Sequence, residues 1–176
     1  KHIFITGSRG SGKSHLVNNM LKHMSDSFNL LQSHRTDTPQ VVIKSNLVAD
    51  NKEFVIGVPR TSGINPASKG NNMTIIEDGF INCAIPAIDT HLDTTPERLF
   101  VIDELGYLES SCIPFQKAVE KLLDNSHVLA VIRKQSTEFL NRICNRKDVL
   151  VIDIDSTFET LSCIIMACQN VLALIS

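Results

Sequence analysis

The stretch "TGSRGSGKSHL" (residues 6–16) decides the fold, because a loop of glycines and serines around one lysine joins a short apolar run to an amphipathic segment. The preceding run, "HIFIT" (residues 2–6), is short, apolar and β-branched, as is typical of a buried parallel strand. From Gly12 onward, apolar residues recur at intervals of three and four, which predicts a helix with one buried face. The residues on that face are Leu16, Val17, Met20, Leu21 and Met24.

Within this stretch, "GSRGSGKS" matches the pattern G-x-x-x-x-G-K-[ST] without a mismatch. The glycines allow a tight turn whose N–H groups point at phosphate oxygens, and the following helix adds its positive N-terminal end. In such a loop the lysine, Lys13, reaches the β- and γ-phosphates, and the hydroxyl of Ser14 ligates Mg²⁺. A flexible turn would explain the glycines but not the lysine–serine pair. The predicted nucleotide-binding residues are Gly7, Ser8, Arg9, Gly10, Ser11, Gly12, Lys13, Ser14 and His15.

A second motif, "LFVIDE" (residues 99–104), supplies acidic residues after a buried strand. The carboxyl ends of strands are where open α/β sheets bind ligands. We therefore expect Asp103 to hold Mg²⁺ together with Ser14, and Glu104 to polarise the water that attacks the γ-phosphate. One strand-like segment, "FNLLQ" (residues 28–32), lies between the two motifs. This arrangement resembles the P-loop division that hydrolyses nucleoside triphosphates with a glutamate, and the resemblance implies the sheet order 5-1-4-3-2.

The rest of the chain alternates between strand-like and helical segments, which predicts one α/β domain over residues 1–176 with a mainly parallel sheet. Residues 34–72 interrupt the alternation and are predicted to form an insertion, a β-hairpin (41–48 and 53–58) followed by a loop (60–72). A helix interrupted by Pro86 is expected after it. The remaining predictions are helices at 114–125, at 137–144 and from Ser156 onward, and strands at 127–132 and 149–154.

The segment "FVIDELGYLESSCIPFQKAVEKLL" resembles the pattern I-D-E-[IV]-G-x-M-E-x-x-S-x-x-F of the small nucleoside-triphosphatase family first described in thermophiles, which has a human cancer-related member. "NRICNRKDVLVIDI" is similar to that family's entry into its last strand. The resemblance implies a RecA-like core and Mg²⁺-dependent hydrolysis of several nucleoside triphosphates with little base preference. It also brings Glu109 into the catalytic set with Lys13 and Glu104, and either glutamate could orient water. The matching residues are Asp103, Glu104, Gly106, Glu109, Ser110 or Ser111, and Phe115.

The sequence also departs from the family pattern. Leu108 replaces its methionine, and Phe158 and Glu159 stand where an E-N-R-D segment has asparagine and arginine. The family's G-F-x-T-x-E-V-R segment is not legible in "SHRTDTPQ" (residues 33–40). These differences put the substrate range in question more than phosphate binding.

Some polar residues admit two interpretations. Arg9 and Arg133 could each neutralise γ-phosphate charge as an arginine finger does, although surface arginines are common. Tyr107 could stack on a base, but ordinary packing is favoured. "NRKD" (residues 145–148) is not the guanine-reading N-K-x-D motif, because its lysine is one place late and it precedes a strand.

Two other functions compete with hydrolysis as interpretations of these motifs. A nucleotide or small-molecule kinase needs an acceptor pocket and usually a lid with several arginines, whereas residues 60–72 contain only Arg60 and Lys69 as basic residues. A non-catalytic nucleotide switch would not need the magnesium acid. Hydrolysis is therefore favoured, with Mg²⁺ as the cofactor.

The composition excludes several classes of protein. A net charge of −2, a hydrophobic content of 43% and no basic run argue against a nucleic-acid or membrane partner, and no apolar stretch could span a bilayer. The five cysteines are irregularly spaced and form no C-x-x-C, so we expect reduced thiols in a cytoplasmic protein. The oligomeric state stays open, with a monomer favoured.

Overall fold

The computed structural model describes residues 1–22, 28–60 and 73–155. Eight strands in these ranges form one mixed sheet. The strands are β1 (His2–Thr6), β2 (Phe28–Arg35), β3 (Val41–Ser45), β4 (Phe54–Pro59), β5 (Met73–Ile75), β6 (Leu99–Leu105), β7 (His127–Ile132) and β8 (Val149–Asp153).

Five of these strands are parallel and lie in the order β2-β6-β7-β1-β8. Numbered among themselves, they give the predicted order 5-1-4-3-2 when read from the β8 edge. The α/β fold class is confirmed. The predicted number of strands is wrong, since the described sheet has eight strands and not five.

The three additional strands extend the sheet from β2 in antiparallel fashion, in the order β3, β4, β5. The predicted hairpin thus exists as β3 and β4, but it continues the main sheet. Its first strand ends at Ser45, earlier than predicted, and Leu47 and Val48 pack against the core outside the strand. β5 was not predicted, because three residues are too few to show a period. Residues 61–72 of the predicted loop lie outside the described residues.

Helices cover both faces of the sheet. The predicted break at Pro86 is wrong: a five-residue π-helical segment, Phe80–Ala84, leads without interruption into the helix that contains Pro86. A wider turn suits this position, because proline has no N–H for the preceding turn and its ring crowds the carbonyl there. The helix predicted from Ser156 lies outside the described residues. The helices are α1 (Lys13–Leu21), α2 (Glu77–Gly79), α3 (Ile85–Thr94), α4 (Ile113–Asn125) and α5 (Glu138–Cys144), with 3₁₀ turns at Ala49–Asn51 and Glu109–Ser111.

The central strands are buried on both faces. In β1, Ile3 and Ile5 pack into a cluster with α1, whereas Phe4 points into the larger cluster with α3, α4 and α5. This explains why the sequence of β1 is continuously apolar and not alternating. Polar groups collect at the carboxyl edge of the parallel strands, where the phosphate loop follows β1.

Two further predictions concern the whole chain. Cys83, Cys112 and Cys144 are free thiols, while the other two cysteines lie outside the described residues. In the ranges that the structure describes, none of the helices has the length and apolar character needed to cross a membrane.

Candidate phosphate-binding and catalytic site

The glycine-rich loop turns from the end of β1 into the start of α1. Gly12 caps the helix with φ of 91° and ψ of 14°, a left-handed conformation that a residue with a side chain rarely adopts. Gly7 is needed for a different reason, since a Cβ there would lie 2.8 Å from Cγ1 of Ile154 and 2.9 Å from Oγ of Ser11. The loop therefore has the tight conformation that the motif predicts.

Lys13 is buried, and its ammonium group is turned back into this loop. Its Nζ donates hydrogen bonds to the carbonyl oxygens of Gly7 (3.0 Å) and Ser8 (2.8 Å). A buried ammonium group needs such acceptors, because an unpaired charge away from water is costly. The side chain is thus held at the centre of the turn that a phosphate group would face.

Ser14 and Asp103 are in direct contact although they lie 89 positions apart. The hydroxyl of Ser14 donates to Oδ1 of Asp103 at 2.9 Å, and Nε2 of Gln32 donates to Oδ2 at 3.4 Å. Burial raises the pKa of Asp103, and the hydrogen bonds from Ser14 and Gln32 partly oppose this rise. Gln32, which pairs with Asp103 from the neighbouring strand β2, was not predicted as a site residue.

This pair fits a magnesium ion by its chemistry, since Mg²⁺ prefers oxygen ligands and usually keeps several water molecules. A hydroxyl and a carboxylate adjoin the phosphate loop here. Within the described ranges, no group of three or more histidine, cysteine or acidic side chains could hold a metal ion. An ion at Ser14 and Asp103 would therefore need water and phosphate oxygens to complete its coordination.

Glu104 lies at a shift in register between β6 and β7, where Asp103 pairs with Val131 and Leu105 pairs with Ile132. An extra residue of this kind re-aims its side chain, and such irregularities are frequent beside active sites. The carboxylate accepts a hydrogen bond from Nε of Arg133, with which it forms an ion pair. Both side chains line the cavity described below.

Glu109, by contrast, is a buried side chain. Its Oε2 accepts a hydrogen bond from the backbone N–H of Gly106 at 2.8 Å, and its Oε1 lies 3.5 Å from the hydroxyl of Ser33. Burial raises the pKa of Glu109 to about 7, while the backbone hydrogen bonds act in the opposite direction. The charge of Glu104 contributes less than burial does, so mutual repulsion is not the main cause of the raised pKa.

A cavity of about 610 Å³ lies over the phosphate loop and reaches the ends of β6 and β7. It brings together most of the residues predicted from the motifs, and it includes both candidate arginines. Ser11, Asp103 and Glu109 are not among its lining residues. The lining residues are Gly7, Ser8, Arg9, Gly10, Gly12, Lys13, Ser14, His15, Glu104, Arg133, Lys134 and Gln135. Tyr107 is also absent from this wall, and it packs against the larger core cluster, as the sequence analysis favoured.

Three residues beside the cavity were missed by the sequence analysis, namely Lys134, Gln135 and Asp155. Oδ2 of Asp155 accepts hydrogen bonds from the N–H and the hydroxyl of Ser8, both at 2.6 Å, and lies 3.3 Å from Nζ of Lys134. The hydrogen bond from the Ser8 side chain is the main cause of the lowered pKa of Asp155. All three follow the ends of β7 and β8, so position after a parallel strand was the available signal.

Comparison with known proteins places the chain among phosphate-loop enzymes. A family model described as NTPase matches residues 2–160. The chain belongs to this NTPase family. Among curated relatives, nucleoside-triphosphatase THEP1 of Thermotoga sp. (strain RQ2) is 26% identical over 155 residues, covering 87% of this chain and 86% of the relative. The Thermotoga maritima protein of the same name is 23% identical over 154 residues, with the same coverage.

Solved structures of NTPase-family proteins share the fold. The crystal structure of THEP1 from Aquifex aeolicus superposes with a TM-score of 0.76 at 18% identity, covering 100% of this chain and 99% of the other. The solution structure of a human cancer-related nucleoside triphosphatase gives a TM-score of 0.71 at 20% identity, covering 98% of this chain and 97% of the other. In each of the two comparisons, the likeness covers nearly the whole of both chains.

Proposed function

We propose that this chain hydrolyses nucleoside 5′-triphosphates to the diphosphate and inorganic phosphate, with Mg²⁺ and with little preference for the base. The observation that carries the proposal is that the phosphate loop, Ser14 and Glu104 line one cavity, and that Asp103 is hydrogen-bonded to Ser14. Membership of the NTPase family and the names of the relatives support the same reaction.

Binding of the triphosphate falls to the loop and to Lys13. The loop N–H groups and the positive end of α1 attract phosphate oxygens, and Lys13 exchanges the carbonyls of Gly7 and Ser8 for those oxygens. Ser14 and Asp103 would hold Mg²⁺, which neutralises phosphate charge when it is bound. Phosphoryl transfer depends mainly on positioning and on charge stabilisation, and these residues supply both.

Glu104 is the better candidate for orienting the attacking water, since it lines the cavity while Glu109 does not. Glu109 instead holds the N–H of Gly106, in the turn that follows β6. We assign Glu104 the catalytic role and Glu109 a positioning role. Of the two glutamates that the sequence left open, we therefore favour Glu104 as the residue that orients water.

Tolerance of several bases follows from what lines the cavity. Its wall is made largely of glycines, hydroxyl groups and cationic side chains, which suit the triphosphate shared by all four nucleotides. Among the lining residues that the structure describes, His15 alone offers an aromatic ring for stacking on a base.

The experiment is product analysis with ATP, GTP, CTP and UTP, each with Mg²⁺ and with EDTA. We expect one phosphate released per diphosphate formed from all four nucleotides, and no release in EDTA. Turnover of a single nucleotide would contradict the broad specificity. Diphosphate formation without free phosphate would indicate transfer to an acceptor, as in a kinase, and would contradict hydrolysis.

A further inference from the structure

Arg133 lines the same cavity as the phosphate loop and is paired with the proposed catalytic glutamate. Its backbone N–H donates to the carbonyl of Leu105 at 2.9 Å, which fixes the residue at the end of β7 beside β6. Its side chain passes over Gly106, where a Cβ would lie 2.9 Å from Cδ and 3.3 Å from Nε of the arginine. The guanidinium group therefore reaches the cavity from a fixed base, through a gap that glycine leaves open.

The contact with Glu104 engages only part of the hydrogen-bonding capacity of the guanidinium group. In the part of the chain that the structure describes, Nε is the one nitrogen of this group that makes a hydrogen bond. The side chain of Arg133 is 40% exposed and that of Glu104 is 23% exposed. Ion pairs with this much exposure contribute little to stability, so the contact can be exchanged at small cost.

We propose that Arg133 distinguishes a nucleoside triphosphate from a diphosphate by exchanging Glu104 for the γ-phosphate. Without nucleotide, the guanidinium group of Arg133 is paired with the carboxylate of Glu104. A terminal phosphate in the cavity offers two or three oxygens to the fork of the guanidinium group, which suits it better than one carboxylate oxygen. The exchange leaves Glu104 free to orient water only when a γ-phosphate is present. This inference rests on the proposed function, since it concerns the same cavity.

The neighbouring cation shows why Arg133 and not Lys134 is assigned this role. Nζ of Lys134 lies 2.8 Å from Oδ2 of Asp153 and 3.3 Å from Oδ2 of Asp155, so two carboxylates hold it. Among the described residues, Arg133 forms an ion pair with one carboxylate, that of Glu104, which belongs to the proposed reaction itself. Exchange at Arg133 therefore couples recognition of the γ-phosphate to release of the catalytic side chain.

The first test measures the affinities for β,γ-imido-ATP and for ADP, with Mg²⁺, by calorimetry. We expect Arg133→Gln to weaken binding of the triphosphate analogue roughly tenfold or more, the loss typical of a charged hydrogen bond, and to change ADP binding less than about twofold. Arg133→Lys should fall between the two. The matched control is Arg142→Gln, which removes an arginine paired with Glu120 outside the cavity and should change neither affinity.

The second test is a double-mutant cycle with Glu104→Gln, which removes the internal partner of Arg133. We expect this change to tighten binding of the triphosphate analogue roughly twofold to tenfold in the wild-type background, and to have no such effect when Arg133→Gln is also present. The same gain in both backgrounds would mean that Glu104 merely repels phosphate, and it would overturn the exchange.

The outcomes separate this inference from the proposed function. If neither nucleotide binds to the wild-type protein, the proposed function fails with it. If nucleotides bind and are hydrolysed but Arg133→Gln weakens ADP and the triphosphate analogue equally, only the exchange is overturned. If Arg133→Gln lowers the melting temperature well below that of Arg142→Gln, the Arg133→Lys variant decides, because it keeps the charge and must still show a loss confined to the triphosphate.

Discussion

Two buried ionisable side chains, Lys13 and Glu109, show how individual residues shape the site. The Nζ of Lys13 donates to two carbonyl oxygens, in a position where phosphate oxygens can replace them. Glu109 is held by one backbone N–H and lies near one hydroxyl, and burial raises its pKa to about 7. Its ionisation therefore destabilises the folded protein, because the unfolded chain ionises this carboxyl at a lower pH.

This pKa gives a prediction for Glu109→Gln. The carboxyl group imposes no penalty below pH 4.5, a growing penalty between pH 4.5 and 7, and a full penalty above pH 7. The neutral amide has no such penalty and keeps an oxygen for the N–H of Gly106. We expect the variant to gain roughly 1–3 kcal/mol of unfolding free energy relative to wild type between pH 5 and pH 8.

Urea unfolding at a series of pH values measures this difference. Glu138→Gln, at a glutamate whose side chain is 97% exposed, is the matched control and should show almost no change with pH. A difference between Glu109→Gln and wild type that stays constant from pH 5 to pH 8 would show that Glu109 ionises normally.

Single residues of the site could be predicted only where a motif fixes their spacing. Lys13, Ser14, Asp103 and Glu104 follow from two short patterns, and the structure brings all four to one end of the sheet. Gln32 and Asp155 belong to no pattern. They lie near the loop only because β2 neighbours β6 and β8 neighbours β1, which is a property of the folded sheet.

Among the elements, α3 is tied to the sheet by a buried polar network around His91. Nε2 of His91 lies 2.6 Å from the hydroxyl of Ser126, and Nδ1 lies 2.8 Å from Nδ2 of Asn29 on β2. The amide of Asn29 donates, so Nδ1 is the acceptor and Nε2 carries the proton. The hydroxyl of Ser126 lies 2.8 Å from the carbonyl of Pro96 and can donate to it. The neutral ring therefore has both nitrogens satisfied.

Removing one partner should weaken this connection. We expect Ser126→Ala to lower the free energy of unfolding by roughly 1–3 kcal/mol, because Nε2 of His91 is left buried without an acceptor. Ser111→Ala, which removes an exposed hydroxyl, is the control and should cost much less. Chemical denaturation of both variants measures the difference, and equal losses would mean that the network adds no stability.

The same histidine predicts sensitivity to acid. Burial lowers the pKa of His91 to about 4, below the value of 6.5 for a free side chain. The unfolded state therefore binds more protons between pH 6.5 and 4, and the protein loses stability as the pH falls through this range. His91→Gln should reduce this loss. A melting temperature that falls equally in wild type and variant between pH 6.5 and 4 would contradict the assignment.

Elements were predictable where burial is simple. The strands β1, β6 and β7 are buried on both faces, and β2 and β8 also contain short apolar runs, so all five parallel strands were found. β2 continues three residues beyond its predicted end. Ser33, His34 and Arg35 are polar, so the apolar pattern stops before them, but their backbone pairs with β3. Backbone pairing of this kind leaves no mark in the side-chain pattern. Of the antiparallel extension, the sequence therefore predicted β3 and β4 but not β5 or their pairing with β2.

At the scale of the whole molecule, the phosphate loop joins the fully buried strand β1 to α1, so ligand binding should be linked to global stability. A ligand that binds only the folded state adds about 2.7 kcal/mol at a concentration roughly 100 times its dissociation constant. We expect a saturating amount of β,γ-imido-ATP with Mg²⁺ to raise the melting temperature by several degrees. Lys13→Ala should abolish most of the shift, and an unchanged shift in that variant would place the nucleotide elsewhere.

The α/β class followed from the alternation of apolar runs and helical segments, whereas the order of the parallel strands was implied by the resemblance to the P-loop division that hydrolyses nucleoside triphosphates with a glutamate. The eight-stranded extent of the sheet did not follow, because the sequence does not reveal that β3, β4 and β5 pair onward from β2. The site lies where the parallel strands end, as their topology predicts.

The most direct measurement compares nucleotide binding and phosphate release in wild type and Glu104→Gln, with Lys13→Ala beside them. We expect Glu104→Gln to bind β,γ-imido-ATP at least as tightly as wild type and to lose phosphate release from ATP by roughly a hundredfold or more. Lys13→Ala should lose binding as well as release. Phosphate release from Glu104→Gln at the wild-type rate would contradict the assignment of Glu104 as the residue that orients the attacking water.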